Sequence, residues 1–177
     1  TTTRMKLIIC CFLVLSSMFL YAQKEYTSSV PKAVRSFETA IKLYDARQNE
    51  KAVAAVDDAI KADPKFIEAH MLKANIYSDM KLYDKSISSY KDAIAINENF
   101  FPNNYYSLGK VEYINGNYSD AKSHFEKFIT YPKIKLNLKA NAKQFISNCA
   151  FAEQAVQNPV PFSPVNMGDS INNTDEE

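Results

Sequence analysis

Apolar residues recur through the middle of this chain at intervals of three and four, and the pattern then repeats itself. Ala40, Ala74 and Gly109 stand 34 and then 35 residues apart, and Ala52, Ser86 and Ala121 keep the same steps. So do Ala59, Ala93 and Phe128, and so do the large residues Val56, Tyr90 and Phe125. Spacing of three and four places side chains on one face of a helix. Small residues mark where two helix axes cross at about 8–10 Å, and the large ones fill the adjoining space. A break divides each repeat, at Arg47-Gln48-Asn49, Met80-Lys81-Leu82 and Asn115-Gly116-Asn117. Val30-Pro31, Asp63-Pro64 and Phe101-Pro102 each open a repeat, because a helix start has no intrahelical use for the N–H that proline lacks. Asp63 is expected to cap the next helix, and exposed Lys81 to tolerate substitution. The pattern predicts three helix pairs, over about 31–63, 64–101 and 102–131. A further helix over 133–156 carries Ile134, Leu138, Ala142, Phe145, Ile146, Cys149 and Ala150 on one face. It is expected to cap the stack, since a single pair cannot bury its apolar face alone.

A helical repeat of this length has the period of the tetratricopeptide repeat (TPR). Ala74, Tyr77, Tyr83, Ser86, Tyr90 and Ala93 resemble the TPR pattern closely, as do Tyr105, Leu108, Gly109, Gly116, Tyr118, Ala121 and Phe125. Ala40, Leu43, Ala52 and Ala59 follow it more loosely. The resemblance covers about 31–131. It departs from the pattern at Glu98, where a proline usually closes a repeat, at Phe128, where a small residue is usual, and at one residue inserted between the second and third repeats. It implies an all-α, TPR-like α-solenoid of three helix pairs plus a C-terminal capping helix. It also implies a non-enzymatic, cofactor-free domain that holds a protein or peptide in a concave groove. In TPR folds the first helix of each pair lines that groove. Here those positions are Phe37, Ile41 and Tyr44, then Met71, Asn75, Ser78 and Asp79, then Tyr106, Lys110 and Tyr113. Asn75 with Lys110 resembles part of a clamp for a peptide's terminal carboxylate. Phe37 and Ile41 stand where that clamp needs Lys and Asn, so no such clamp is expected. The aromatic residues among these have a second reading, packing within the stack or against a neighbouring domain.

Composition narrows the chemistry. A net charge of +1 over 177 residues argues against a strongly basic nucleic-acid binder, and only three glycines argue against a β-rich fold. No glycine-rich phosphate loop, paired-cysteine metal motif or nucleophile elbow is present. His70 and His124 fall in different helices and are expected to be structural or solvated. Lys133, Lys135, Lys139 and Lys143 read as a solvated basic face. Cys149, alone once a leader is removed, is expected to be a small buried apolar residue.

The ends of the chain carry other signals. Arg4 and Lys6 precede an apolar run from Leu7 to Leu20, shorter than the roughly 20 residues of a membrane span. This predicts an export signal over 1–22, starting at Met5, with Cys10 and Cys11 inside it. A polar linker over 23–30 comes next. The domain with its capping helix then spans 31–157, and an extended tail spans 158–177. Asn158-Pro159-Val160-Pro161-Phe162, Asn166-Met167-Gly168-Asp169-Ser170-Ile171-Asn172 and Asp175-Glu176 resemble a junction in Bacteroidetes envelope proteins of the OmpA family. Those join a TPR domain to a WD-type β-propeller and then an OmpA-like domain. The resemblance implies a periplasmic or outer-membrane-associated protein that meets peptidoglycan only through a domain outside this chain. Asp169-Ser170-Ile171 resembles a periplasmic O-glycosylation sequence, which makes Ser170 a candidate acceptor. The rival expectations are a structural spacer packing on its own downstream domains, and a regulatory domain of an envelope enzyme encoded beyond Glu177.

Overall fold

The structure, a computed structural model, describes residues 26–159. The expected export signal, the tail from residue 160 and Ser170 lie outside the described residues. Among the described residues all regular structure is helical: α1 Pro31–Asp45, α2 Asn49–Ala62, α3 Ile67–Asp79, α4 Tyr83–Ile96, α5 Asn103–Ile114, α6 Tyr118–Thr130 and α7 Leu136–Gln157. The chain divides into two compact units, 1–76 and 77–177, with the boundary inside α3.

In the first unit α1 packs on α2. Pro31 stands at the start of α1, as expected. Ala33, Phe37 and Ala40 of α1 and Ala52, Val56 and Ala59 of α2 are all buried. The small residues let the two helices approach closely while Phe37 and Val56 fill the space beside them. Across α2 and α3, Lys73 and Asp57 form an ion pair of 2.7 Å.

The turn within each repeat is built on one device. The N–H of Gln48 donates to the carbonyl of Leu43 and that of Arg47 to Tyr44. Leu82 to Tyr77 with Lys81 to Ser78, and Asn117 to Glu112 with Gly116 to Tyr113, repeat the pair. These are Schellman motifs, which place the residue after the helix cap in the left-handed region. That residue is Gly116 in the third repeat, at φ 82°, but Arg47 and Lys81 in the others, both at φ 59°. Lys81 is therefore not the indifferent exposed position its sequence suggests, because a Cβ in this conformation costs about 1–2 kcal/mol. Lys81→Gly is expected to raise unfolding stability by about 0.5–1 kcal/mol, the relief of that strain less the added backbone entropy of glycine. Gly116→Ala should lower it by about 1 kcal/mol. Urea unfolding of both variants measures this, and a destabilising Lys81→Gly would refute it.

The junctions between repeats differ from expectation. Asp63 does not cap the next helix. Its N–H closes α2 on Ala59, its carboxylate accepts the N–H of Lys65 at 3.0 Å, and α3 begins only at Ile67. Asn97 does the same after α4, with its N–H on Ala93 and its side chain accepting from Asn99 at 3.0 Å. Short polar side chains that bond the backbone two residues on favour such a turn over continued helix.

The second unit centres on Tyr105, Ala121, Phe125, Phe128, Ala142 and Cys149, all buried. Leu138, Phe145 and Ile146 pack against them, so the last helix covers the unit with the face its spacing predicts. That helix begins at Leu136, however, and Ile134, expected within it, packs from the segment before it. Phe128, the departure from a small residue, is fully buried and lies 5.2 Å from the Tyr106 ring. Glu98, the departure from proline, anchors the junction instead. Its carboxylate accepts from the Tyr105 hydroxyl at 3.3 Å and pairs with Lys127 at 3.3 Å, and its carbonyl accepts from Tyr131 at 3.1 Å. Burial, with Tyr131 and Glu98 close by, pushes the Tyr105 phenol up to about 12. Burial also pushes the Cys149 thiol up, with Glu153 adding to the shift and Lys122 opposing it, as suits a packed thiol rather than a reactive one.

Candidate functional site

The residues that carry the TPR pattern lie mostly inside the two units. Ala40, Ala52, Ala59, Ala74, Ser86, Tyr90, Ala93, Leu108, Gly109, Ala121 and Phe125 are buried, and Tyr77 is half-buried with the Lys85 ammonium 5.5 Å from its ring centroid. Burial raises the Tyr90 phenol against a hydrogen bond with Ser107 that lowers it.

The expected groove residues divide into three kinds. Asn75, Asp79 and Lys110 are exposed, each on a first helix of its repeat. Tyr44, Ile41, Met71 and Ser78 are half-buried. Phe37, Tyr106 and Tyr113 are committed to packing. In the second unit the Tyr106 ring meets Phe125, Phe128 and Phe145 at 5.6, 5.2 and 6.3 Å. Tyr113 meets Tyr118 at 5.6 Å and Phe145 at 5.4 Å. Phe145 itself stacks on Phe125 at 4.8 Å and 8°. The capping helix thus covers part of both tyrosines, and their rings build the unit before they offer surface. Lys110 stays in reach of Tyr106, with its ammonium 6.0 Å from the ring centroid. Ile114, one turn further along α5, is 55% exposed.

In the first unit Phe37 is only 5% exposed. It lies under Tyr26, whose ring stands edge-on at 5.2 Å, and beside Phe66 at 4.7 Å. Residues 26–28 were expected to belong to a linker, yet they lie on this face. Burial, with Glu38 and Glu68 nearby, raises the Tyr26 phenol.

One cluster has no counterpart in the sequence expectations. Glu112 is fully buried, its Oε2 lies 2.6 Å from Nδ1 of His124, and its Oε1 lies 3.5 Å from the Lys91 ammonium. Lys91 also reaches Asp120 at 3.7 Å. The signal was present in the register, because Glu112 stands where the other repeats carry Leu43 and Tyr77. His70, by contrast, bonds the carbonyl of Pro64 through Nε2 at 3.0 Å. Among the described residues no group of three or more His, Cys, Asp and Glu side chains is placed to hold a metal ion. No helix among them is long and apolar enough to cross a membrane.

Comparison with known proteins agrees with this geometry. Residues 67–100, which run from the start of α3 past the end of α4, match the tetratricopeptide repeat family model. The chain is 32% identical over 81 residues to anaphase-promoting complex subunit 3 of Schizosaccharomyces pombe, across 46% of this chain and 12% of that protein. It spans 12% of the length of the curated relatives it matches. Among solved structures it resembles the first TPR of Spaghetti (RPAP3) bound to the HSP90 peptide SRMEEVD, with a TM-score of 0.62 and 17% identity over 69% of this chain and 96% of that one. It also resembles the Yersinia enterocolitica type III secretion chaperone SycD in complex with a YopD peptide, with a TM-score of 0.61 and 14% identity over 67% of this chain and 92% of that one. Residues 67–100 thus match the tetratricopeptide repeat model, within an all-α, TPR-like fold of packed helix pairs.

Proposed function

We propose that this chain is a non-enzymatic, protein-binding TPR domain. The observation that carries it is the exposure of Asn75 and Lys110, each immediately after a buried small residue, Ala74 and Gly109, on the first helix of its repeat. On α5 the core takes Tyr105, Leu108, Gly109, Val111 and Glu112, and Lys110 and Ile114 are exposed. The structural relatives that hold peptides on the same fold support this reading. We place the protein in the cell envelope, as part of a longer OmpA-family protein, on the leader-like pattern over 1–22 and the resemblance of the tail.

The test is capture from envelope extract on the immobilised full chain. Lys110→Glu should reduce capture of the partner about tenfold, the 1–2 kcal/mol of a central interface residue. Asp58→Asn and Asp92→Asn, exposed on the second helices α2 and α4, should leave capture unchanged. Equal capture by all four chains would overturn the assignment of this face.

A second reading has its own observation. Phe151 and Val156, on the last turns of α7, are 74% and 69% exposed beside Tyr113 and Tyr118. Apolar surface of this kind favours a structural spacer that packs on its own downstream domains.

A further inference from the structure

Tyr26, Thr27 and Ser28 form no helix or strand, yet every one of them is held. The Tyr26 ring meets Phe37 at 5.2 Å and Phe66 at 5.9 Å, both edge-on. The Thr27 N–H donates to Oε1 of Glu68 at 3.0 Å, and its hydroxyl donates to Oε2 of the same carboxylate. That hydroxyl also accepts the N–H of Ile67 at 3.1 Å. It thereby caps the start of α3, where the first N–H groups have no intrahelical acceptor and where Asp63 was expected to serve. Ser28 is buried, and its hydroxyl accepts the N–H of Val30 at 3.3 Å.

The chemistry of this contact is that of peptide recognition. An aromatic side chain enters a site walled by two phenylalanines. A backbone N–H and a hydroxyl are read together by one carboxylate, and the orphan N–H of a helix start reads the hydroxyl's lone pair. None of these demands that the segment belong to the same chain. Thr27 is exposed, and only Ser29 and Val30 separate the segment from α1, so it can lift without unwinding a helix.

We propose that Tyr26–Ser28 is a built-in ligand of the Phe37 face of the first unit, and that this face takes extended peptides carrying an aromatic residue followed by threonine or serine. The proposal deepens the protein-binding reading above and rests on it. The short tether holds the built-in segment at a high effective concentration, so a peptide from outside competes poorly until the segment is released.

The probe is a fluorescent synthetic peptide with the sequence of residues 25–30, titrated into the full chain and followed by anisotropy. The full-length Tyr26→Ala/Thr27→Ala variant should bind it at least tenfold more tightly than wild type. A peptide with alanine in place of its tyrosine should lose that binding, and so should the same variant with Phe37→Ala added. Equal affinity for the two chains, or no binding by either, would overturn the proposal. Amide exchange on wild type decides the matter if the variant does not fold. The Ile67 N–H should exchange at least tenfold faster than the amides of the α2 interior, and exchange only with global unfolding would overturn the proposal. A folded variant that refuses this peptide but still captures its envelope partner removes the built-in ligand alone. Peptide binding without partner capture keeps the built-in ligand and removes the partner face at Lys110.

Discussion

His124→Ala is expected to lower unfolding stability by about 2–3 kcal/mol, although the imidazole is about a quarter exposed. The loss falls on its partner. The Glu112 side chain is at 0% exposure and spends its shortest contact, 2.6 Å, on the imidazole. Without it the carboxylate keeps only the Lys91 ammonium at 3.5 Å, whose own side chain is half in water. A buried charge stripped of its partner costs about 3–5 kcal/mol, and Lys91 retains part of that. Glu112→Gln keeps the shape and weakens the bond, for about 1–2 kcal/mol. The informative variant is Glu112→Leu/His124→Leu. Leucine is what the first repeat carries at this register position, as Leu43, and replacing both polar partners by apolar groups is often close to neutral. The double variant should therefore sit within about 1 kcal/mol of wild type. Urea unfolding of the three chains tests the set. A harmless His124→Ala, or a double variant as unstable as the single one, would show that the pair is not what holds this part of the unit together.

The register accounts for how much of this molecule was legible beforehand. Small-to-large spacing fixes which faces meet, so the helix pairs, the capping face of α7 and the burial of Cys149 could be read from periodicity alone. Features that depend on side chains meeting across the register could not. Glu112 and His124 lie twelve residues apart on consecutive helices, and only packing brings them to 2.6 Å. Thr27 and Glu68 lie 41 residues apart, and a polar stretch before a proline gives no sign that it will cap a distant helix. Lys81 is a third case. Its strain lies in the backbone, and nothing in a lysine announces a left-handed turn except that Gly116 occupies the same position one repeat later. The groove residues fall between these cases. The first-helix positions were legible, but the arrival of Phe145 on Tyr106 and Tyr113 depends on how the last helix docks.

The same dependence sets the second large effect. Gly109→Val is expected to cost about 2–3 kcal/mol, near the upper end for overpacking. A Cβ at Gly109 would stand 3.1 Å from two carbons of the Phe125 ring and 3.2 Å from the carbonyl oxygen of Ala121. A backbone carbonyl inside α6 cannot retreat. The ring is pinned as well, stacked on Phe145 and met edge-on by Tyr106 at 5.6 Å. Alanine carries the Cβ alone and gains up to about 1 kcal/mol of helix propensity over glycine. Gly109→Ala should thus be the milder change, and its sign measures whether the crossing can widen by a few tenths of an ångström. The first two repeats carry alanine at this register position, as Ala40 and Ala74, and hold Val56 and Tyr90 at the register position of Phe125. Glycine is needed where the facing residue is Phe125 and a further ring lies behind it. Trimming that ring should accordingly rescue the glycine position. Gly109→Val combined with Phe125→Leu should be less destabilising than the sum of the two single changes by at least about 0.5 kcal/mol, the coupling expected of residues in contact. Additive losses in thermal or urea unfolding would mean that the clash is taken up elsewhere in α5, and the close crossing at Gly109 would not be what fixes the approach of α6.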